Sequence, residues 1–132
     1  MDFVSIRVIT EDVARLAGFY EKATGVQATY YTEDFAELRT AHATLAIGST
    51  RTVPLFAPGA ARPADHRTVI IEFLVDDVDG AHQNLAGFIE AFGQEPTTMP
   101  WGNRSLLFRD PDGNLVNFFT PVTPAAIEKF AR

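Results

Sequence analysis

The chain has 132 residues, the length of one ordinary domain, and is hydrophobic enough to form a single core. Its 17 acidic residues against 11 lysines and arginines give a net charge of −6, which repels a phosphate backbone, so we expect no nucleic acid partner and rather a neutral or cationic ligand. The sequence contains no cysteine, which excludes disulfides and thiolate chemistry. We see no secretory signal and no apolar run of the ~18 residues that a membrane helix needs, so we expect a soluble, cytoplasmic domain.

The first half of the chain is predicted to form a strand, a helix and three further strands. An apolar, β-branched run over 4–10 indicates the first strand, and the carboxylate of Asp12 can cap the helix that follows. Gly25 is a suitable helix end. The apolar face of this helix is formed by Val13, Leu16, Ala17 and Tyr20. Three strand-like runs follow at 26–31, 35–39 and 43–47.

A linker over 49–67, rich in proline, separates this half from a second half with the same order of elements. A strand-like run at 68–75 precedes a helix capped by Asp77 and ended by Gly93. Its strand-like runs are 94–99, 104–109 and 115–119.

Two short sequence motifs that occur in both halves support this duplication. Asp-Val opens both helices, and Leu-Ala-Gly-Phe occurs at 16–19 and at 85–88. The two copies of Leu-Ala-Gly-Phe lie slightly further apart than the two copies of Asp-Val, which predicts a second helix about one turn longer than the first. The pair Thr123-Pro124 begins a short C-terminal helix over 123–132.

The order β-α-β-β-β therefore occurs twice in a single α+β domain over 1–132, as module one (1–48) and module two (68–122). The stretch Pro-Trp-Gly-Asn-Arg at 100–104 is followed by Phe-Arg-Asp-Pro-Asp-Gly-Asn-Leu at 108–115, in which Asp-Pro-Asp-Gly-Asn predicts a hairpin turn. Over residues 3–122 the chain resembles the vicinal oxygen chelate superfamily, which includes glyoxalase I, bleomycin-binding proteins and extradiol dioxygenases. The resemblance implies two βαβββ modules that form a half-barrel with a concave cavity, often within a homodimer.

The resemblance also implies four positions at which metal-dependent members hold their ligands, on the first and last strand of each module. These positions carry Ser5, Ile70 and Asn117, and in the remaining one either Ala46 or Thr44. A divalent site needs several imidazole or carboxylate donors, so we expect no metal and no other cofactor. The three histidines share no metal-ligand spacing.

Strand alternation predicts that Ser5 and Arg7 face the cavity, and that Glu72 occupies the position in module two that Arg7 occupies in module one. If the strands pair as in the superfamily, Arg7 and Glu72 lie near each other, either as ligand contacts or as a structural ion pair.

Aromatic residues near strand ends, among them Tyr31 and Trp101, are expected at the mouth of the pocket, with core or dimer-interface packing as the alternative. Trp101 is preferred because Gly102 beside it leaves room for a ligand and Arg104 offers a fork of donors. The predicted ligand-binding residues are Arg7, Glu72, Trp101, Arg104, Ser5, Asn117 and Tyr31.

Three functions are compatible with these features. The replaced metal ligands favour a metal-free protein that binds, and sequesters, a drug-like or aromatic small molecule. The alternative is a lyase, isomerase or dioxygenase-type enzyme with an atypical site, in which residues such as Glu37 or Glu72 recruit a metal, or Arg7 and Glu72 act as an acid–base pair without metal. A regulatory domain with a vestigial cavity is the third. The expected partners are a small organic ligand and a second copy of the chain, without a membrane; the ligand's identity stays open.

Overall fold

Two βαβββ modules follow one another along the chain in the computed structural model, which describes residues 1–131, so that Arg132 of the predicted C-terminal helix lies outside the described residues. The first module consists of β1 (Ser5–Thr10), α1 (Val13–Thr24), β2 (Thr29–Thr32), β3 (Phe35–Arg39) and β4 (Thr44–Ser49). The second consists of β5 (Ile70–Leu74), α2 (Val78–Leu85), β6 (Gln94–Thr98), β7 (Asn103–Arg109) and β8 (Leu115–Pro121), followed by α3 (Pro124–Lys129). The predicted α+β duplication is confirmed.

Each module forms its own four-stranded sheet, in the orders β1-β4-β3-β2 and β5-β8-β7-β6. The first strand of each module runs parallel to its last strand, and the other pairs are antiparallel. The chain packs as two compact units, of which the first comprises Met1–His66 with Asp110–Gly113 and the second comprises Arg67–Arg109 with the residues from Asn114 onward. None of the helices within residues 1–131 has the length and apolar character that crossing a bilayer requires.

The predicted helix starts are confirmed by their hydrogen bonds. The backbone N–H of Arg15 donates to Oδ1 of Asp12 at 3.1 Å, and the N–H of Gly80 donates to Oδ1 of Asp77 at 3.1 Å. Gly25 ends α1 with φ +74°, which a glycine adopts without strain. The predicted apolar face of α1 is buried, and α1 packs against β3 and β4.

The prediction that the second helix is the longer one, ending at Gly93, is wrong. α2 has 8 residues against 12 in α1, because Leu85 is its last helical residue and the chain then turns. The N–H groups of Gly87 and Phe88 bond back by only three residues, to the carbonyl oxygens of Asn84 and Leu85. The motif Leu-Ala-Gly-Phe is therefore helical in α1 and forms a turn at the end of α2. The wider spacing between its two copies does not come from an extra helical turn.

The predicted connecting loop also contains regular structure. β4 extends to Ser49, and a 3-10 helix follows at Thr50–Leu55. The N–H of Arg51 donates to Oγ of Ser49, and Oγ1 of Thr52 donates to the Ser49 carbonyl at 2.7 Å. These local bonds cap a short turn of helix that brings the next residue, Phe56, back toward the first sheet.

The turn between β7 and β8 is held by a buried tyrosine. The N–H groups of Asp112 and Gly113 donate to Asp110, which confirms the predicted hairpin turn. The second carboxylate oxygen of Asp110 accepts the hydroxyl of Tyr20 at 2.6 Å, although 90 positions separate the two residues. Tyr20 is fully buried and Asp110 is 5% exposed, so the bond is made out of reach of water. Burial raises the pKa of Tyr20, and the carboxylate of Asp110 raises it further.

Replacing Tyr20 with phenylalanine tests this bond. Tyr20→Phe keeps the packed ring but removes one donor from a buried carboxylate, which costs about 1–3 kcal/mol. We expect the free energy of unfolding in urea to fall by that amount.

Tyr31→Phe is the matched control, because it removes an exposed hydroxyl–carboxylate bond and should change stability by less than about 0.5 kcal/mol. A pH profile adds a second signature. Since the folded state raises the pKa of Tyr20, its contribution is complete below the ordinary tyrosine pKa of about 10 and is lost as the pH rises above that value. An alkaline loss of stability that is equal in Tyr20→Phe and the parent protein would contradict this assignment.

Candidate functional site

In each module, the candidate site lies on the sheet face that points away from that module's helix, here called the distal face. Alternation along the strands assigns side chains to it. On the first sheet, β1, β3 and β4 contribute Ser5, Arg7, Ile9, Phe35, Glu37, Arg39, Thr44, Ala46 and Gly48. On the second sheet, β5, β7 and β8 contribute Ile70, Glu72, Leu74, Asn103, Ser105, Leu107, Arg109, Leu115, Asn117 and Phe119.

The strand register decides which residue of β4 corresponds to Asn117. On the second sheet, Glu72 lies directly beside Asn117. On the first sheet, Arg7 lies directly beside Ala46, while Ser5 lies beside Thr44. Arg7 and Glu72 are thus equivalent within their modules, and the sequence alternatives Ala46 and Thr44 resolve to Ala46.

The four positions that metal-dependent relatives would use do not fit a divalent cation. Ala46 and Ile70 have no donor atom, and Ser5 offers a neutral hydroxyl. Asn117 turns its amide nitrogen toward Glu72, at 2.8 Å from Oε2. Divalent ions in proteins are held by several imidazole, carboxylate or thiolate groups, and this set supplies none. Within residues 1–131, no group of three or more His, Cys, Asp or Glu is arranged to hold a metal ion.

On the first distal face, Arg7 lies among aromatic rings. Its guanidinium carbon is 4.8 Å from the ring centre of Phe35 and 5.2 Å from that of Phe56. Gly48 lies next to the Arg7 stem, where a Cβ would make an ordinary van der Waals contact with Cδ of Arg7 at 3.6 Å. Phe56 is 73% exposed, so this cluster reaches the surface.

Tyr31 and Glu37 extend the same face. The hydroxyl of Tyr31 donates to Oε1 of Glu37 at 2.8 Å, and this bond raises the pKa of Tyr31. The ring centres of Tyr31 and Phe35 are 5.7 Å apart. Arg7, Tyr31, Glu37, Phe35 and Phe56 therefore form one group, called the Arg7 cluster below.

On the second distal face, Glu72 and Asn117 form a polar pair. Because an ionised carboxylate only accepts, the amide nitrogen of Asn117 must face Glu72, and its Oδ1 points elsewhere. That Oδ1 is buried without a hydrogen-bond partner among the described residues, as is Oδ1 of Asn103. Glu72 itself is exposed. The pair places an accessible carboxylate beside a buried amide oxygen that has no hydrogen-bond partner among the described residues.

Arg104 lies on the other face of the second sheet, toward α2. Its Nε donates to Oδ2 of Asp79 at 2.9 Å and its terminal NH2 nitrogen to Oδ1 at 3.0 Å. This fork lowers the pKa of Asp79 and engages the donors that a ligand would need. A ligand role for Arg104 stays a prediction.

Trp101 lies in the turn before β7 and is 68% exposed. The expectation that Gly102 leaves room for a ligand is wrong. A Cβ on Gly102 would collide with Oγ1 of Thr123 and lie 3.0 Å from Cβ of Ala126, so α3 already fills that space. Gly102 also needs its φ of +94°. Ligand contact by Trp101 itself stays a prediction, as does proximity of Arg7 to Glu72.

Two residues of the site were missed from the sequence. Phe56 lay in a segment interpreted as loop, and only the 3-10 helix returns it to Arg7. Asn103, the first residue of β7, gives no pattern that distinguishes it from a turn residue; its burial at 9% exposure emerges only in the sheet.

Comparisons with known proteins agree with this architecture. The sequence model of the Glyoxalase/Bleomycin resistance protein/Dioxygenase superfamily matches residues 2–118. A glyoxalase/bleomycin resistance protein/dioxygenase from Nocardioides is 21% identical, with 94% of this chain and 85% of that chain covered and a TM-score of 0.75. A family enzyme from Burkholderia phytofirmans is 17% identical, with 92% and 100% covered and a TM-score of 0.79.

A lactoylglutathione lyase from Agrobacterium tumefaciens is 17% identical, with 90% of this chain and 92% of that chain covered and a TM-score of 0.69. At these identities the solved structures show a shared fold alone. A comparison with the curated proteins finds no match.

The unmet acceptor of Asn117 leads to a stability prediction. Asn117→Leu removes a buried carbonyl oxygen without a partner, while the exposed Glu72 that loses its donor can be hydrated instead. Since an unsatisfied buried group costs about 1–3 kcal/mol, we expect the free energy of unfolding to stay the same or rise by about 1 kcal/mol.

Thr120→Val is the matched control on the same strand. The Thr120 hydroxyl accepts from the N–H of Val78 and donates to the carbonyl of Val75, so its loss should destabilise by about 1 kcal/mol. If Asn117→Leu costs as much as Thr120→Val, the amide is satisfied and the assignment fails.

Proposed function

Because this chain belongs to the glyoxalase/bleomycin resistance protein/dioxygenase superfamily, we propose that it binds a small organic molecule and holds no divalent metal tightly. This proposal rests on the side chains at the four positions that would ligate a metal, which are Ser5, Ala46, Ile70 and Asn117. Charged side chains lie next to them instead, Arg7 beside Ala46 and Glu72 beside Asn117.

The side chains on the distal faces suit an organic ligand. On the first distal face, the rings of Phe35, Phe56 and Tyr31 offer flat apolar contact and Arg7 offers a charged group that fixes the orientation of a ligand. On the second distal face, Glu72 offers a charged group of its own. Sequestration of an aromatic or drug-like compound needs only these contacts and no reacting group. A cytoplasmic location is part of this proposal.

A metal-independent enzyme is the second candidate. One observation favours it: Asn117 holds one oxygen of the exposed Glu72 carboxylate at 2.8 Å, which is how a general base is oriented. In this case Glu72 would take a proton from a bound substrate, and Glu72→Gln would abolish turnover while leaving binding intact.

Ligand binding is tested with the single tryptophan as reporter. Titration with a panel of planar aromatic compounds should quench or shift the fluorescence of Trp101. Replacing Trp101 with alanine, followed by calorimetry, should weaken binding by about 1–3 kcal/mol if this ring contacts the ligand.

Metal content, measured by mass spectrometry on untagged protein prepared without chelator, is the accompanying control. We expect zinc, nickel, manganese, iron and cobalt far below one ion per chain. Near-stoichiometric metal that is lost in Glu72→Gln would overturn the metal-free proposal, and failure of every compound to bind would overturn the binding function.

We also propose that the chain forms a homodimer. β1 and β5 are edge strands of their sheets, and exposed apolar side chains lie on or just before both. These are Phe3, Val4, Ile6, Val69, Ile70 and Leu74. Exposed edges with apolar side chains are normally covered, and a second copy of the chain can cover them through a symmetric interface.

Light scattering at micromolar concentration tests the dimer. We expect twice the 14.5 kDa mass of one chain, and a shift toward the single-chain mass in Phe3→Asp. Tyr30→Asp, at an exposed aromatic position on β2 at the opposite edge of the first sheet, is the control and should stay dimeric. A parent protein of single-chain mass would contradict the proposal.

A further inference from the structure

We propose that Arg7 binds a carboxylate carried by an aromatic ligand, whose ring lies against the aromatic side chains of the Arg7 cluster. This inference rests on the proposed binding function and names the chemical class of its ligand. The observation behind it is that the guanidinium of Arg7 lies near two aromatic rings.

Several other arginines are engaged by carboxylates. Nε of Arg51 donates to Asp34 at 2.7 Å and Nε of Arg104 to Asp79 at 2.9 Å, and both bonds lower the pKa of the aspartate. Arg7, by contrast, forms no ion pair or hydrogen bond through its guanidinium with any residue in 1–131, although the chain has an acidic excess.

The aromatic contacts of Arg7 leave its donors usable. Phe35 and Phe56 attract the guanidinium through their ring faces, at 4.8 and 5.2 Å. The five N–H groups lie in the plane of the guanidinium and match the two oxygens of a carboxylate. Rings that position the cation without accepting its hydrogen bonds therefore keep it available for an anionic ligand.

The neighbouring strands also keep Arg7 available. Arg7, Ala46 and Glu37 lie in one row across β1, β4 and β3. The outer two are separated by two strand spacings, about 9–10 Å between Cα atoms. Glu37 accepts the hydroxyl of Tyr31 instead of pairing with Arg7. Ala46 between them carries only a methyl group, which offers Arg7 no polar partner.

The net charge of −6 favours a neutral or cationic ligand at long range, but it does not decide this contact. Charges further than about 8 Å apart are largely screened at physiological ionic strength. A bidentate guanidinium–carboxylate pair acts at hydrogen-bond distance and is among the stronger polar contacts. We therefore expect the acidic surface to slow the arrival of the anion and Arg7 to determine its affinity.

The experiment compares acids with their neutral amides. Dissociation constants are measured by calorimetry for 2-naphthoate and 2-naphthamide, and for benzoate and benzamide. The parent protein should bind each acid about tenfold or more tightly than its amide, as expected for hydrogen bonds to a charged group. In Arg7→Gln the affinity for the acid should fall to that for the amide, while the affinity for the amide stays unchanged.

Two further variants sharpen the result. Arg62→Gln removes an exposed arginine paired with Asp65 and should leave the preference for acids intact. Arg7→Lys keeps the charge but loses the planar fork, and should retain only part of the preference. This variant decides the question if Arg7→Gln fails to fold by circular dichroism.

The outcomes separate the inference from the proposed function. If acids and amides bind equally, or if the preference survives in Arg7→Gln and Arg7→Lys, the Arg7 inference fails and the binding function stands. If no aromatic probe binds the parent protein, both fail.

Discussion

In each module the first strand runs parallel to the last, and the register of this pair determines which side chains share a row on the distal face. The pairing of β1 with β4 puts Arg7 beside Ala46, and the pairing of β5 with β8 puts Glu72 beside Asn117. A shift by one residue would turn every one of these side chains to the opposite face of its sheet. The buried residues of α1 and of the strands beneath it hold the register in the first module, since a slip would expose them.

Within that shared frame, the two modules have acquired opposite chemistry. The first presents Arg7 against two aromatic rings, and the second presents Glu72 beside the buried amide of Asn117. Ala46 and Ile70 supply no donor at the positions where metal-dependent relatives would need one. The chain therefore keeps the fold of the superfamily with other side chains at these positions, and the shared fold does not by itself decide the reaction.

The unmet acceptors are costly features of the fold. Oδ1 of Asn117 and Oδ1 of Asn103 are buried without partners among the described residues, whereas Thr120, on the other face of β8, is satisfied twice. Polar groups of this kind are uncommon in native proteins and concentrate at functional sites, where a ligand or water supplies the missing bond. Oδ2 of Asp112, in the turn between β7 and β8, is a further buried acceptor of this kind, so such atoms are not confined to the second distal face.

Local features of the sequence determined the caps, the turn and the facing of the strands. Asp12, Asp77, Gly25 and the Asp-Pro-Asp-Gly-Asn turn act through bonds within a few residues, and alternation alone assigns Arg7 and Glu72 to one face of their strands. The tertiary structure decided what depends on distant partners. In the sequence, Tyr20 cannot be distinguished from the apolar residues of the helix face. Only the folded chain brings its hydroxyl to Asp110, 90 positions away.

The same reason explains the wrong predictions. Leu-Ala-Gly-Phe is helical in α1 but forms a turn from Leu85 onward, because the packing around a four-residue motif, and not its sequence, selects its conformation. The space beside Gly102 is filled by α3, and no spacing along the chain indicates this contact. The sequence determines which residues alternate, cap and turn; only the folded chain determines which donors remain available to a ligand, because that depends on every partner brought near them.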